Sequence, residues 1–313
     1  MKYAHLVYYN IVVKPETDNS GAEIIADHRR QWRNCRYVYP VISRRSKGLS
    51  IGVNINPDKG CTFGCLYCQI DRTVGRGLSE VHLAILHDEL HLALEEARNG
   101  RLWDEPGFIR TPVRLRRIND IAFSGDGEPT CSQEFDRALE TAAKARKDCG
   151  CKDVKLVVIT NATRLTSPQF MRALPILDSN DGEIWAKLDA GTEEYFQRVN
   201  RPVGDITLEK IVSDITETSR RHPVIIQTLM FRINGVDPPP REIEAYCRQL
   251  NGIFESGGEI SLVQLHTVAR KPADNCVSAM PDEHLDALAA TIRRSVRGLT
   301  VEAFYGPPDI SHS

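Results

Sequence analysis

Little in this chain would commit it to a membrane, to a polyanion or to a repeat array. No apolar run in its 313 residues is long enough to span a bilayer. The opening Met1-Lys2-Tyr3-Ala4-His5 lacks a secretory pattern. Lys and Arg number 40 against 42 Asp and Glu, a formal net charge of −2, so no global field draws the protein to nucleic acid and any such binding must be local. No repeat at solenoid period and no low-complexity stretch occurs. Nine cysteines without a leader suggest a reducing, cytoplasmic setting rather than a disulfide scaffold. The most consequential shortage is local. Gly60-Cys61-Thr62-Phe63-Gly64-Cys65-Leu66-Tyr67-Cys68 carries three cysteines, and no fourth cysteine or histidine stands at ligand spacing nearby. A structural zinc site closes its tetrahedron with four protein ligands. Three thiolates can instead hold three corners of a four-iron, four-sulfur cluster and leave one iron open for chemistry.

The context of the cysteines is that of a loop after a strand. Residues Leu49 to Ile55 alternate apolar with small or polar side chains, and Asn56-Pro57-Asp58-Lys59-Gly60 breaks the run. About sixty residues on, the apolar Ile121-Ala122-Phe123 enters the turn Ser124-Gly125-Asp126-Gly127-Glu128-Pro129-Thr130, whose glycines let a backbone approach a ligand closely. Three buried structural cysteines or a degenerate zinc knuckle remain the structural alternative for the first motif, and an ordinary turn for the second.

Together these motifs resemble the radical S-adenosylmethionine (SAM) superfamily, with Cx3Cx2C at Cys61, Cys65 and Cys68 and the Gly-Glu-Pro turn after the next strand. The resemblance implies a [4Fe-4S] cluster on the three cysteines. It places Tyr67 near the adenine, and backbone around Gly125, Asp126, Gly127, Glu128 and Pro129 at the SAM amino group. It implies that the Thr160-Asn161 strand end and the polar positions of the next strand, Lys187 among them, help hold the SAM carboxylate, ribose or methionine part, and Gln227, Gln264 and His266 join the cofactor-binding candidates by their strand positions. Longer stretches resemble the branch that forms the wyosine base of tRNA: Ser43-Arg44-Arg45, Gly48 to Gly52, Lys187 to Ala190, Arg198 to Pro202, Ile226-Gln227-Thr228 and Val263 to Thr267. That branch uses three N-terminal cysteines for a second cluster, whereas here Cys35 alone precedes Cys61, so the likeness bears on cofactor and fold rather than on the same condensation.

Along the chain strands alternate with helices, which demands parallel pairing with right-handed crossovers. Helices are expected over Ser79–Gly100, Ser132–Lys147, Ser167–Leu174, Thr192–Val199, Thr207–Arg221, Glu242–Phe254 and Asp282–Val296. Strands are expected at Asp120–Ser124, Lys155–Thr160, Glu183–Leu188, Val224–Met230, Glu259–Leu265 and Leu299–Phe304. The fold this predicts is α/β, a partial (β/α)6 TIM-like barrel of the radical SAM type over residues 49–305. An N-terminal extension, residues 1–48 with strands at Leu6–Val13 and Arg36–Val41, packs on it, and residues 306–313 form a tail. Sites on such barrels gather at the carboxyl ends of the strands.

Strand parity gives a test independent of any family. In Glu183 to Asp189, the apolar Ile184, Ala186 and Leu188 alternate with Trp185, Lys187 and Asp189, which puts the latter set in the barrel. Leu262, Gln264 and His266 share one face, Gln227 shares one with Ile225 and Leu229, and Asn161 ends its strand. Lys187 and Asp189 are the candidate catalytic pair. Lys187 is either a cation paired with Asp189, the reading favoured here, or a desolvated amine that meets a carbonyl. The remaining cysteines, Cys35, Cys131, Cys149, Cys151, Cys247 and Cys276, match no compact iron-sulfur run and read as small buried hydrophobes. His87 and His91, one helical turn apart, read as an exposed helix face.

Basic residues cluster at Arg29, Arg30, Arg33, Arg36, Arg44, Arg45 and Lys47, and at Arg110, Arg114, Arg116 and Arg117, patches that could meet tRNA phosphates. By resemblance, the chain is an enzyme that reductively cleaves SAM to a 5′-deoxyadenosyl radical and removes hydrogen from a substrate, a tRNA base being one candidate. A low-potential donor such as flavodoxin or ferredoxin would supply the electron, and no membrane is involved. An activase, a peptide- or small-molecule-modifying enzyme, and a non-enzymatic metal-binding regulator are the alternatives.

Overall fold

A computed structural model describes residues 32–70, 80–270, 272 and 274–306. Its framework is one sheet in the order β1-β2-β3-β4-β5-β6-β8-β10. The strands are β1 (Val38–Ser43), β2 (Gly48–Val53), β3 (Ile118–Phe123), β4 (Lys155–Thr160), β5 (Glu183–Lys187), β6 (Val224–Leu229), β8 (Ile260–His266) and β10 (Val301–Phe304). From β2 onward every neighbour is parallel. The helices that make this possible are α1 (Leu83–Arg98), α2 (Phe135–Asp148), α3 (Pro168–Asp178), α4 (Glu193–Val199), α5 (Leu208–Ser219), α6 (Pro240–Glu255) and α7 (Asp282–Ser295). Six strand-helix units followed by β10 give the expected partial barrel.

The sheet is buried on both faces. Its outer face and the helices share the main core, with Leu49, Ile121, Leu156, Ile184, Ile226 and Val263 among its fully buried side chains. Its concave face carries a separate apolar cluster of Ala122, Val157, Trp185 and Ile225, with Ile159 and Leu262 against it. The alternation read from the sequence therefore holds for β5, β6 and β8. The curl is fixed where the first turn meets the last strand. Lys47, between β1 and β2, places its Nζ 3.1 Å from Glu302 in β10, although these lie at opposite ends of the strand order.

Local sequence explains most boundaries. The side chains of Ser167, Thr192 and Thr207 accept hydrogen bonds from the amides of Phe170, Tyr195 and Lys210, capping α3, α4 and α5. The expected end of α3 at Leu174 is overtaken, because the helix continues through Pro175 to Asp178. Proline removes one intrahelical bond, but burial of Phe170, Ala173, Leu174 and Leu177 on one face outweighs it. Ser79, the expected first residue of the first helix, lies outside the described residues, and His82 precedes α1 without a side-chain cap. The expected strand Arg36–Val41 is β1, which starts two residues later and pairs antiparallel with β2. The expected strand Leu6–Val13 and residues 307–313 lie outside the described residues. A small antiparallel pair, β7 (Phe231–Ile233) with β9 (Val277–Ala279), carries no strong alternation and was not expected. Among the described residues no helix is long and apolar enough to cross a membrane.

Candidate active site

The three cysteines lie in the loop that leaves the carboxyl end of β2, and the chain anchors that loop at three points. At its entrance, Gly60 O accepts from the Glu128 amide at 2.8 Å, and Asn54 joins Asp126 through Nδ2 at 2.8 Å. A side chain at Gly127 would place its Cβ 2.1 Å from Gly60 O, so only glycine allows the two turns this approach. In the middle, Thr62 O accepts from Val203 N at 2.8 Å, and Gly64 N donates to Arg201 O at 2.9 Å. At the exit, Leu66 N donates to Val199 O at 2.8 Å.

Glu128 is the buried tie between β3 and β4. Its carboxylate accepts from Thr130 N (3.2 Å), Thr130 Oγ1 (2.6 Å), Thr160 Oγ1 (2.7 Å) and Asn161 N (2.7 Å). Burial still holds its pKa above the usual carboxylate range. Asn161 in turn donates to Thr62 Oγ1 at 2.8 Å and accepts from Thr163 Oγ1 at 2.8 Å. Both residues thus spend their side chains on the three-cysteine loop and its support.

A second hub lies beyond the end of β5. Asp189, 3 % exposed, accepts from Leu229 N (2.9 Å), Asn200 Nδ2 (2.9 Å) and the Tyr67 hydroxyl. Lys187 Nζ is 3.5 Å from the same carboxylate and 5.0 Å from the centroid of the Tyr67 ring. The structure thus contains the expected ion pair, and it adds a cation over the aromatic ring. Phe231 of β7 meets Tyr67 edge to face at 5.5 Å. Gln227 donates to Gln264 Oε1 at 3.3 Å, and His266 lies one alternation further along β8. Burial, with Arg45 and Lys187 nearby, holds the His266 pKa well below its ordinary value, so the imidazole is neutral.

Sequence reasoning missed Asn200 as a site residue. Its Nδ2 lies 3.8 Å from Cys65 Sγ and 3.5 Å from the Tyr67 hydroxyl, while its Oδ1 is buried with no hydrogen-bond partner. The stretch Arg198 to Pro202 was the only signal, and nothing in it marked the Asn over its neighbours. The cationic stretch also divides. Arg29 and Arg30 lie outside the described residues, Arg33 pairs with Glu96 at 2.6 Å and Glu105 at 2.7 Å, and Arg44 and Arg45 turn into the barrel. His87 pairs with Asp148 at 3.3 Å, whereas His91, Glu95 and Cys149 bring one ligand atom each within 4.8 Å of one another.

The donor set fits an iron-sulfur cluster. All three thiols are free of disulfides. The Phe63 amide (3.5 Å) and Asn161 Nδ2 (3.7 Å) donate to Cys61 Sγ, and Asn200 Nδ2 donates to Cys65 Sγ, the kind of hydrogen bonding that tunes cluster sulfurs. Burial pushes the Cys65 thiol up to about 12, so a bound cation must supply the charge that deprotonates it. An open cavity of about 540 Å³ lies against Cys65 and Cys68, with Arg201 and Asp274 on its rim. The orphaned Asn200 Oδ1 beside Cys65 offers an acceptor to a ligand.

Comparison with known proteins agrees with this geometry. The radical SAM superfamily profile matches residues 55–238. The chain is 24% identical over 251 residues, 80% of its length, to a protein of Brachyspira hyodysenteriae named GTPase Obg, and covers 32% of that protein. It is 28% identical over 173 residues, 55% of its length, to a UPF0026 protein of Methanocaldococcus jannaschii, covering 46% of it. The chain therefore spans less than half of either relative. In structure it is similar to a radical SAM methyltransferase from Sphaerobacter thermophilus (TM-score 0.57, 14% identity, 86% of this chain and 69% of the other). It is also similar to TYW1 solved with a lysine-pyruvate adduct (TM-score 0.50, 14% identity, 80% and 74%). At such identities the likeness speaks for the fold. With more than half its length matched by the superfamily profile, the chain belongs to the radical SAM superfamily, whose enzymes work with a [4Fe-4S] cluster and SAM.

Proposed function

We propose that this protein cleaves SAM reductively and directs the product radical to a hydrogen atom of a substrate held in the barrel mouth. The observation that carries the reading is the docking of the three-thiol loop onto the Gly-Glu-Pro turn through Gly60, Gly127 and Glu128, which would set a cluster held by the thiols beside a backbone cradle. When bound at Cys61, Cys65 and Cys68, the cluster supplies the one electron that splits the sulfonium into methionine and a 5′-deoxyadenosyl radical.

The chain's own residues orient and enclose. Carbonyls around Gly125, Asp126 and Gly127 suit the SAM ammonium, since the Glu128 amide is already given to Gly60 and a cation needs acceptors. Tyr67, clamped by Asp189 and capped by Lys187, offers a fixed flank to the adenine. Lys187, ion-paired with Asp189, is the cation for a carboxylate, and Asp189 is a positioning residue. Gln227, Gln264 and neutral His266 line the interior with hydrogen-bonding groups for ribose or substrate.

A tRNA base is one candidate substrate, with a peptide or small molecule as the alternative, and a flavodoxin or ferredoxin would be the reductant. Anaerobically reconstituted protein given dithionite and SAM should form 5′-deoxyadenosine; no nucleoside product from fully clustered protein would defeat the reading. Mass spectrometry of tRNA, peptides and metabolites from cells with and without the protein then identifies the substrate. A peptide or metabolite change with unaltered tRNA would remove the tRNA assignment.

A further inference from the structure

The turn between β1 and β2 carries two adjacent guanidinium groups that the proposed use of the cluster and SAM does not employ. Lys47 ties this turn to Glu302 of β10 across the open side of the sheet. The chain just before it is thereby held against the barrel interior. The Arg45 guanidinium lies 5.7 Å from the centroid of the Trp185 ring, whose indole belongs to the inner apolar cluster. Both arginines are half-buried. Among the described residues neither makes a hydrogen bond or ion pair, Arg45's contact with Trp185 being its one close partner.

Cations predominate around them. Arg45 has Arg44 and Arg270 as like-charged neighbours, opposed only weakly by Asp120 and Tyr39, and His266 has Arg44, Arg45 and Lys187. Burial and these like charges push Arg45 down to about 10, a large fall for a guanidinium. Carboxylates of the interior are committed elsewhere. Asp189 is saturated by Leu229, Asn200, Tyr67 and Lys187, and Glu302 is held by Lys47. Glu183 is held by Lys155 and by Trp185 Nε1 at 2.9 Å. Asp120 is the carboxylate that acts on Arg45, but it accepts from Ser50, forms no ion pair with either arginine, and burial holds its own pKa up at about 6. A buried charge without a partner is costly, and two side by side are costlier. Such an arrangement is stable with an anion between or beside them, and guanidinium forks match carboxylate and phosphate oxygens in pairs.

We infer that Arg44 and Arg45 bind an anionic group, carboxylate or phosphate, of the substrate within the barrel. This rests on the proposed radical SAM function for the word substrate. SAM itself is served at the strand ends, where Lys187 stands. Trp185, which marks the depth of Arg45, is two residues earlier on β5, or about 7 Å deeper at a strand's rise per residue. The anion site is therefore deeper in the barrel than the strand ends, where it can hold the inner end of a substrate that enters through the mouth.

The test uses the full chain, with inorganic phosphate and acetate as probes in separate arms, against sodium chloride at equal ionic strength. Thermal melts of the wild type should rise by about 3 °C at a tenfold excess over the dissociation constant of whichever anion the site takes. The shift should disappear in Arg44→Gln/Arg45→Gln, and the double variant should melt no lower than the wild type without ligand, since an uncompensated repulsion has been removed. Arg45→Lys should keep part of the shift, which separates loss of charge from loss of fold. On reconstituted protein, calorimetry should give the double variant and wild type SAM affinities within threefold. No anion-specific shift in the wild type would overturn the inference. A tenfold loss of SAM affinity in the double variant, with SAM abolishing the phosphate or acetate shift, would assign the pair to the SAM carboxylate and overturn it equally. A wild type that shifts with an anion yet binds no SAM after reconstitution would instead overturn the proposed function and leave the anion site standing.

Discussion

The carboxyl ends of the strands and the β1–β2 turn treat buried charge in opposite ways. At the strand ends, Asp189 and Glu128 each collect their donors from separate elements: β4, the cluster loop, the segment after α4, and β6. At the turn, Arg44 and Arg45 sit half-buried with like charges beside them and, among the described residues, no ion pair of their own. A charge satisfied by its own chain fixes geometry. One left unsatisfied weakens the fold and is held for something that binds. The first region is a frame for the cofactor loop, and the second is the part of the interior that a ligand completes.

The sharpest way to break the frame is at the loop it holds. Cys65→Ala should reduce 5′-deoxyadenosine formation to background and remove the iron-sulfur absorbance, both measured on anaerobic protein; retained turnover would remove Cys65 from the ligand set. Asp189→Ala should lower stability by about 3–5 kcal/mol in urea titration, because it leaves Lys187 and the Asn200 amide without their common partner. A loss below about 1 kcal/mol would show that the hub is not a frame. At the floor, the Asp120 carboxyl rises from 3.8 to about 6 through burial. The folded state thus holds this proton more tightly than the unfolded chain. Its contribution is complete below pH about 4 and is lost as pH rises through about 6, by about 3 kcal/mol in all at 1.36 kcal/mol per pH unit. Asp120→Asn should remove that slope from urea midpoints measured between pH 4 and 7, and an unchanged slope would reject the assignment. Least affected should be Lys47→Ala. The pair with Glu302 is 65% and 39% exposed, so its removal should lower stability by about 0–1 kcal/mol, although it marks where the sheet closes.

Much of this was legible in the chain. The alternation of Trp185, Lys187 and Asp189 against Ile184, Ala186 and Leu188 gave the inner face correctly, because a strand buried on both sides still keeps its period of two. Ser167, Thr192 and Thr207 announced their helices, because caps are local. The Lys187–Asp189 pair was foreseeable because two residues on one strand face are neighbours. Other features were not local. Pro175 looked like a helix end, and tertiary burial carried the helix past it. That the Glu128 and Asn161 side chains would tie β3, β4 and the three-cysteine loop together was not legible, because their partners stand on elements far away in the chain.

By itself the sequence determined the three-thiol loop, the glycine-rich turn and the order of strands and helices, since each depends on residues close together in the chain. Tertiary structure alone decided which charges were neutralised. Arg33, Arg44, Arg45 and Lys47 read alike in one basic stretch, yet two of them form ion pairs with carboxylates on distant elements and two, among the described residues, form none. Coulombic and desolvation terms depend on distance and burial in space, and neither is written in the spacing of residues along a chain.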